Sequence, residues 1–240
     1  MQTQVKRTEE PVKKLVISFG ALLLFIAQPV AAQTWTPEQL PDAPADPADV
    51  YYGGIYKSFT ESIDGKNVYI GPYKGSVETS MGTMFPASLY CVDFAREVYK
   101  GDTWSAYSTP VASTADFGNT YLSGEVIGVY DTYRKAAFLA SLFRVVKTTD
   151  AAWSSLHGAI WSVTNGIPGY DPGFYLSEYA TAWEAFDASN WYVLSDAKRE
   201  KQEFLVERTV PEPATIILLL TGFMAIVVLA RQRSRQGQYL

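Results

Sequence analysis

Residues 149–166 read TDAAWSSLHGAIWSVTNG, the pattern of an amphipathic helix with both ends marked. The apolar side chains recur at helical spacing: Trp153, Leu156, Ile160 and Trp161. Thr149 can cap the first turn, where Asp150 meets the positive end of the helix. Asn165-Gly166 can adopt the left-handed backbone conformation that ends a helix. We therefore predict a helix over residues 150–165.

Strand patterns flank this helix in the chain. Residues 89–94 alternate between two faces, which predicts a strand with Cys91 in its middle. Residues 68–70 lie between Asp64-Gly65 and Gly71-Pro72, which are turn residues typical of the ends of a hairpin strand. A closing strand is predicted over residues 204–206.

Further helices are predicted over residues 131–146 and 177–186 from their apolar spacing, and residues 125–130 fit either a short strand or the approach to a helix. Strands, an inserted helical region and a closing strand predict an α+β fold: a β-sheet or barrel-like domain with inserted helices.

The first 32 residues have the order of a secretory signal peptide. Basic residues precede the apolar run 15–27, and small residues lead to a predicted cut between Ala32 and Gln33. The alternative is an uncleaved anchor, but the apolar run is shorter than the roughly 20 residues that span a bilayer. We therefore expect an exported protein that begins at Gln33.

Residues 33–50 are rich in proline and acidic residues, which predicts a flexible lead-in ahead of a domain over residues 51–209. With the basic ends set aside, this middle part is more acidic than the net charge of −5 of the whole chain. Nucleic-acid binding is therefore not expected, because it needs clusters of Lys and Arg.

The C-terminal residues 210–240 form a three-part tail. Pro211, Glu212 and Pro213 precede residues 214–230, which carry no charge and predict a transmembrane helix. Arg231, Arg233 and Arg235 follow and would stay cytoplasmic. A permanent C-terminal anchor is one interpretation of this pattern.

The order of these three parts resembles the PEP-CTERM sorting signal of Gram-negative bacteria. The resemblance implies processing by an exosortase-type enzyme, with an inner-membrane intermediate and delivery to the cell surface or extracellular matrix. It also implies an association with biofilm and exopolysaccharide.

Cys91 and His157 are the only cysteine and the only histidine of the chain. One cysteine excludes an intramolecular disulfide and a multi-cysteine metal site, and we expect neither a metal nor a cofactor. Each residue alone is typical of a buried packing position. Together they could instead form a reactive pair of thiol and imidazole.

Three blocks in order resemble the thioester domains of bacterial surface adhesins: residues 90–93 (YCVD), 134–139 (RKAAFL) and 159–166 (AIWSVTNG). The resemblance implies that the cysteine pairs with a glutamine two residues before Ala159. This sequence has His157 there, and imidazole has no acyl carbon. Asn165 and Gln202 are distant in sequence from the expected donor position.

The sequence therefore favours a non-enzymatic, adhesion-like surface or biofilm protein. Two alternatives stay open: a covalent adhesin with another acyl donor, and a hydrolase or transpeptidase that uses Cys91 and His157 with Asp93 or Asp150 as orienting residue. The many tyrosines of the first third fit a face that contacts carbohydrate or protein, or a β-rich core.

Replacing Pro211, Glu212 and Pro213 together with alanine is expected to leave the protein unprocessed in the inner membrane, because the exosortase would lose the motif that it recognises. Cell fractionation with immunoblotting measures this. Alanine at Gln236, Gly237 and Gln238, which lie past the arginines, is the matched control. Normal surface delivery of the first variant would contradict the exosortase interpretation.

Overall fold

The computed structural model describes residues 35–123 and 128–209. The predicted signal peptide 1–32, with its cleavage site at Ala32 and Gln33, lies outside the described residues. So does the tail, including Pro211, Glu212, Pro213, the predicted helix 214–230 and Arg231, Arg233 and Arg235. Within the described ranges, no helix is both long and apolar enough to cross a bilayer.

The described part is an α+β domain built on a closed barrel, as the sequence predicted in outline. Six antiparallel strands pair around the barrel in the order β1-β4-β5-β8-β7-β6. They are β1 (Ala48–Ile55), β4 (Tyr73–Glu78), β5 (Met84–Cys91), β6 (Thr103–Pro110), β7 (Trp191–Asp196) and β8 (Phe204–Glu207). A separate hairpin joins β2 (Thr60–Ile63) to β3 (Lys66–Tyr69).

The helices are inserted between β6 and β7. They are α1 (Val129–Ser141), α2 (Asp150–Asn165), α3 (Pro172–Glu178) and α4 (Ala180–Glu184), with a 3₁₀ turn at Leu142–Arg144 after α1. The bounds of α2 agree with the prediction: Thr149 accepts a hydrogen bond from the Ala152 N–H, and Gly166 adopts a left-handed φ of 67°.

Several predicted bounds differ from the structure. The helix expected over 131–146 begins at Val129 and ends at Ser141. The helix expected over 177–186 is replaced by two short ones, because Asp171 caps a helix whose first position is Pro172. Proline is favoured at that position, so Pro172 marks a helix start. Of the segment 125–130, only residues from Gly128 onward are described.

The predicted flexible lead-in 33–50 also differs from the structure. β1 already begins at Ala48, and the residues before it pack on the barrel. Leu40 is fully buried, and its backbone bonds to Glu207 and Thr209. Trp35 meets Trp153 edge to face at 5.9 Å. The prolines of this segment have no backbone N–H to donate a hydrogen bond, but apolar contacts still hold the segment on the barrel.

β5 separates two hydrophobic clusters because its side chains alternate between two faces. Leu89 and Cys91 face one cluster, inside the barrel, and Tyr90 faces the other, which covers the inner surfaces of α1 and α2. α2 contributes to both: Leu156 packs in the helical cluster and Trp161 in the barrel cluster. This helix therefore joins the two cores.

We expect Trp161→Ala to lower the free energy of unfolding by about 3–5 kcal/mol, since it truncates a large aromatic that is 1% exposed. Chemical denaturation of the purified protein measures this. Phe174→Ala is the matched control, because Phe174 is 57% exposed and should change stability by less than about 0.5 kcal/mol. A loss below about 1 kcal/mol for Trp161→Ala would show that α2 is not part of the core.

Candidate functional site

The imidazole of His157 connects α2 to two separate backbone segments, the link between β3 and β4 and the end of β5. Its Nδ1 accepts a hydrogen bond from the Gly71 N–H at 2.8 Å. Because Nδ1 is an acceptor, the ring proton lies on Nε2, which donates to the Cys91 carbonyl oxygen at 3.1 Å. Both nitrogens are thus satisfied, and this pair of hydrogen bonds is called the histidine clamp below.

The histidine clamp is enclosed by aromatic rings. Trp161 stacks on the imidazole with ring centroids 4.0 Å apart, and Tyr73 and Phe143 meet it edge to face. His157 is fully buried, and burial lowers its pKa to about 4, although the hydrogen bond to the Cys91 carbonyl opposes this shift. The imidazole is therefore neutral at physiological pH.

Glycine is required at two positions around the clamp. Gly71 has φ of +98°, and a Cβ there would lie 2.3 Å from the Trp153 ring. A Cβ on Gly158, the neighbour of His157, would lie 2.2 Å from the Tyr170 ring. These two glycines let the backbone and the helix approach closely enough for the clamp to form.

The Cys91 thiol donates to a backbone carbonyl oxygen and has no hydrogen bond to the imidazole among the described residues. Cys91 is the last residue of β5, not mid-strand as predicted, and it is fully buried. Its Sγ donates to the Asp93 carbonyl oxygen at 3.2 Å. Burial, with a smaller contribution from the Asp93 charge, raises the pKa of the thiol well above its ordinary value. A thiol in this state is a poor nucleophile.

The structure thus brings Cys91 and His157 together, but the hydrogen bond between them joins the imidazole to the Cys91 backbone carbonyl. The acidic residues considered as orienting partners do not bind the imidazole, whose two nitrogens are occupied by the clamp. Asp93 pairs with Arg96 at 3.1 Å, and Asp150 is exposed at the start of α2. The arrangement of nucleophile, base and orienter that a cysteine hydrolase needs is not assembled.

Two carboxamides that are distant in sequence lie beside this site. Gln202 Nε2 donates to the Asp93 carbonyl oxygen at 3.2 Å, the same atom to which the Cys91 thiol donates. Asn165 Oδ1 accepts from the Phe94 N–H at 3.0 Å. Gln202 reaches this site despite its distance in sequence, because pairing of β5 with β8 brings residues 91 and 204 into register.

Sequence reasoning missed Glu203, a carboxyl group that is 1% exposed. It accepts hydrogen bonds from the Tyr133 hydroxyl, the Ser195 hydroxyl and the Tyr121 N–H. Burial raises its pKa to about 7, although these three hydrogen bonds act to lower it. Extending the predicted strand by one residue would have found it, because period-two alternation puts Glu203 on the same face as buried Leu205.

No group of three or more His, Cys, Asp or Glu side chains within residues 35–123 and 128–209 could hold a metal ion. Comparison with known proteins adds no relative: no protein-family model, no curated protein and no solved structure matches the chain.

The histidine clamp predicts an unusual titration. Because the chain has a single histidine, its imidazole signals in NMR spectra are unambiguous. We expect a midpoint about 4, with Nε2 protonated above it. The lowered pKa means that the clamp contributes stability that is present above pH 6.5 and lost as the pH falls toward 4.

A titration midpoint near the ordinary value of 6.5 would contradict the clamp. The unfolded protein in denaturant is the internal control, since its imidazole is free of both backbone partners and should titrate near that ordinary value.

Proposed function

We propose that this chain is an exported, non-enzymatic protein of the cell surface or biofilm matrix with an adhesion-like role. The observation that supports this most is the histidine clamp. At the position where a thioester domain carries its acyl donor, this chain has an imidazole whose two nitrogens both bind backbone groups. The residue thus has a structural role there, which favours a binding scaffold over a reactive one.

The sequence supports the place of action. The N-terminal pattern favours export with a cut after Ala32, and the Pro-Glu-Pro tail favours exosortase processing from an inner-membrane intermediate. The acidic domain would then face the outside of a Gram-negative bacterium. Its partners would be the processing enzyme and a surface ligand or exopolysaccharide.

The buried thiol weighs against a cysteine-dependent hydrolase or transpeptidase. Such an enzyme needs a thiolate in an accessible, electropositive setting. Cys91 is fully buried with a raised pKa, and both nitrogens of His157 are occupied by other partners.

A covalent adhesin remains a second candidate because of one contact. The Cys91 thiol and the Gln202 carboxamide donate to the same carbonyl oxygen, so Gln202 could supply an acyl carbon in place of the helix glutamine. Condensation would join Sγ to the Gln202 Cδ and release the side-chain nitrogen as ammonia. The resulting thioester could acylate an amine on a target.

Intact-mass analysis with iodoacetamide tests these candidates together. We expect the secreted protein to have its computed mass and to take up one alkyl group at Cys91 only after unfolding, because the folded thiol is buried and protonated. Cys91→Ser is the matched control for the site of alkylation.

Labelling of Cys91 in the folded protein would contradict the non-enzymatic scaffold and favour the hydrolase. A measured mass lower than the mass of the sequence by one ammonia would favour the covalent adhesin instead. The Gln202→Ala variant should then show no such loss, because it lacks the carboxamide.

A further inference from the structure

An aromatic cleft opens on the surface between the β2–β3 hairpin and the segment that follows β5. Its cavity measures about 250 Å³. Six aromatic side chains line it: Tyr52, Tyr69, Tyr73, Phe94, Tyr99 and Trp161. These six residues define the aromatic cleft below.

The aromatic cleft has a buried floor and an exposed rim. Tyr52, Tyr73 and Trp161 are at most 6% exposed and belong to the barrel core. Tyr69 and Tyr99 are 52% and 64% exposed, and both line the same cavity. Two large rings that converge on one cavity while remaining in water indicate a contact surface, whereas scattered exposed rings would not.

Polar groups at the cleft are free to bind a neutral ligand. The Asn67 side chain and the Tyr52 hydroxyl form no hydrogen bond with any other residue of the described ranges, and both residues line the cavity. Gln202 also lines it, and its carboxamide nitrogen is used on Asp93 while its carbonyl oxygen accepts from no described residue. The cleft thus offers donors and acceptors of amide and hydroxyl type.

The charged groups at the cleft are already engaged within the protein. The Lys66 ammonium lies 5.4 Å from the Phe94 ring centroid, and Arg96 pairs with Asp93. Glu97 accepts a hydrogen bond from the Tyr99 hydroxyl. Asp93 neutralises Arg96, and the remaining charges of Lys66 and Glu97 are opposite in sign, so the lining carries little net charge and favours an uncharged ligand over a phosphate or a polycation.

We propose that the aromatic cleft binds a sugar ring of a neutral glycan. A pyranose ring has a flat face of C–H groups, which packs on the negative face of an aromatic ring. Its edge carries hydroxyl groups, which pair with amide and phenol groups such as those of Asn67 and Tyr52. The cavity is smaller than the 300–1,000 Å³ of sites for drug-sized ligands, which suits one ring of a longer chain.

This inference rests on the proposed adhesion-like function and deepens it by naming the class of ligand. Trp161 links the cleft to the histidine clamp, because one face of its indole stacks on His157 and its side chain also lines the cavity. The clamp therefore holds part of the floor of the binding site in position.

Isothermal titration calorimetry of the secreted protein with cellohexaose, maltohexaose and chitohexaose tests the proposal. We expect at least one of these neutral hexasaccharides to bind with Kd of about 0.1–1 mM. Tyr69→Ala and Tyr99→Ala should each weaken that binding about tenfold, because each removes one stacking ring. Tyr69→Phe should bind within about threefold of the unchanged protein, since it keeps the ring.

Phe174→Ala is the matched control: it removes an aromatic ring of similar exposure that does not line the cleft, and binding should not change. Unfolding midpoints of all variants show that each is folded. The proposal is overturned if none of the three sugars binds at about 10 mM, or if Phe174→Ala weakens binding as much as the cleft variants.

Failure of this inference and failure of the proposed function can be told apart. Retention of the secreted protein on cells or in the biofilm matrix is measured separately by fractionation. Retention without sugar binding would overturn the glycan proposal alone, whereas sugar binding without retention would overturn the surface role.

Discussion

The histidine clamp is the interaction on which the arrangement of this domain depends. A neutral imidazole on α2 accepts from the Gly71 backbone and donates to the Cys91 backbone, so one helix is fixed both to the link between β3 and β4 and to the end of β5. A buried polar group destabilises the fold unless it is paired, and both nitrogens of the His157 imidazole are paired. The cost of burying His157 is offset only in this orientation, which therefore sets both the rotation and the depth of α2.

The position of α2 in turn decides how the two cores are closed. Leu156 packs in the cluster beneath the helices, and Trp161 packs in the cluster inside the barrel. The side chains of β8 alternate between the same two clusters: Phe204 faces the inside of the barrel and Leu205 faces the helices. Glu203 lies in the layer of Leu205 and is tolerated there because three donors on separate segments reach it.

The functional proposals follow from how the same residues are used. Cys91 and His157 have the identities of a reactive pair, but burial holds both in their neutral forms. The side chains that a ligand could reach lie nearby, in the aromatic cleft, whose rim tyrosines are exposed to water. A scaffold that presents rings and amide groups on a rigid barrel suits recognition, since rigid aromatic side chains lose little entropy on binding.

The sequence by itself determined α2, from the Thr149 cap to the Gly166 stop, and the alternation of residues 89–92, because such signals act within a few residues. It also narrowed the candidate site to one cysteine and one histidine. Only the tertiary structure decided what those residues contact. The partner of His157 Nδ1 is 86 residues away, and Gln202 reaches the Cys91 site through the pairing of β5 with β8. Such partners depend on barrel closure and strand register, which no local pattern encodes.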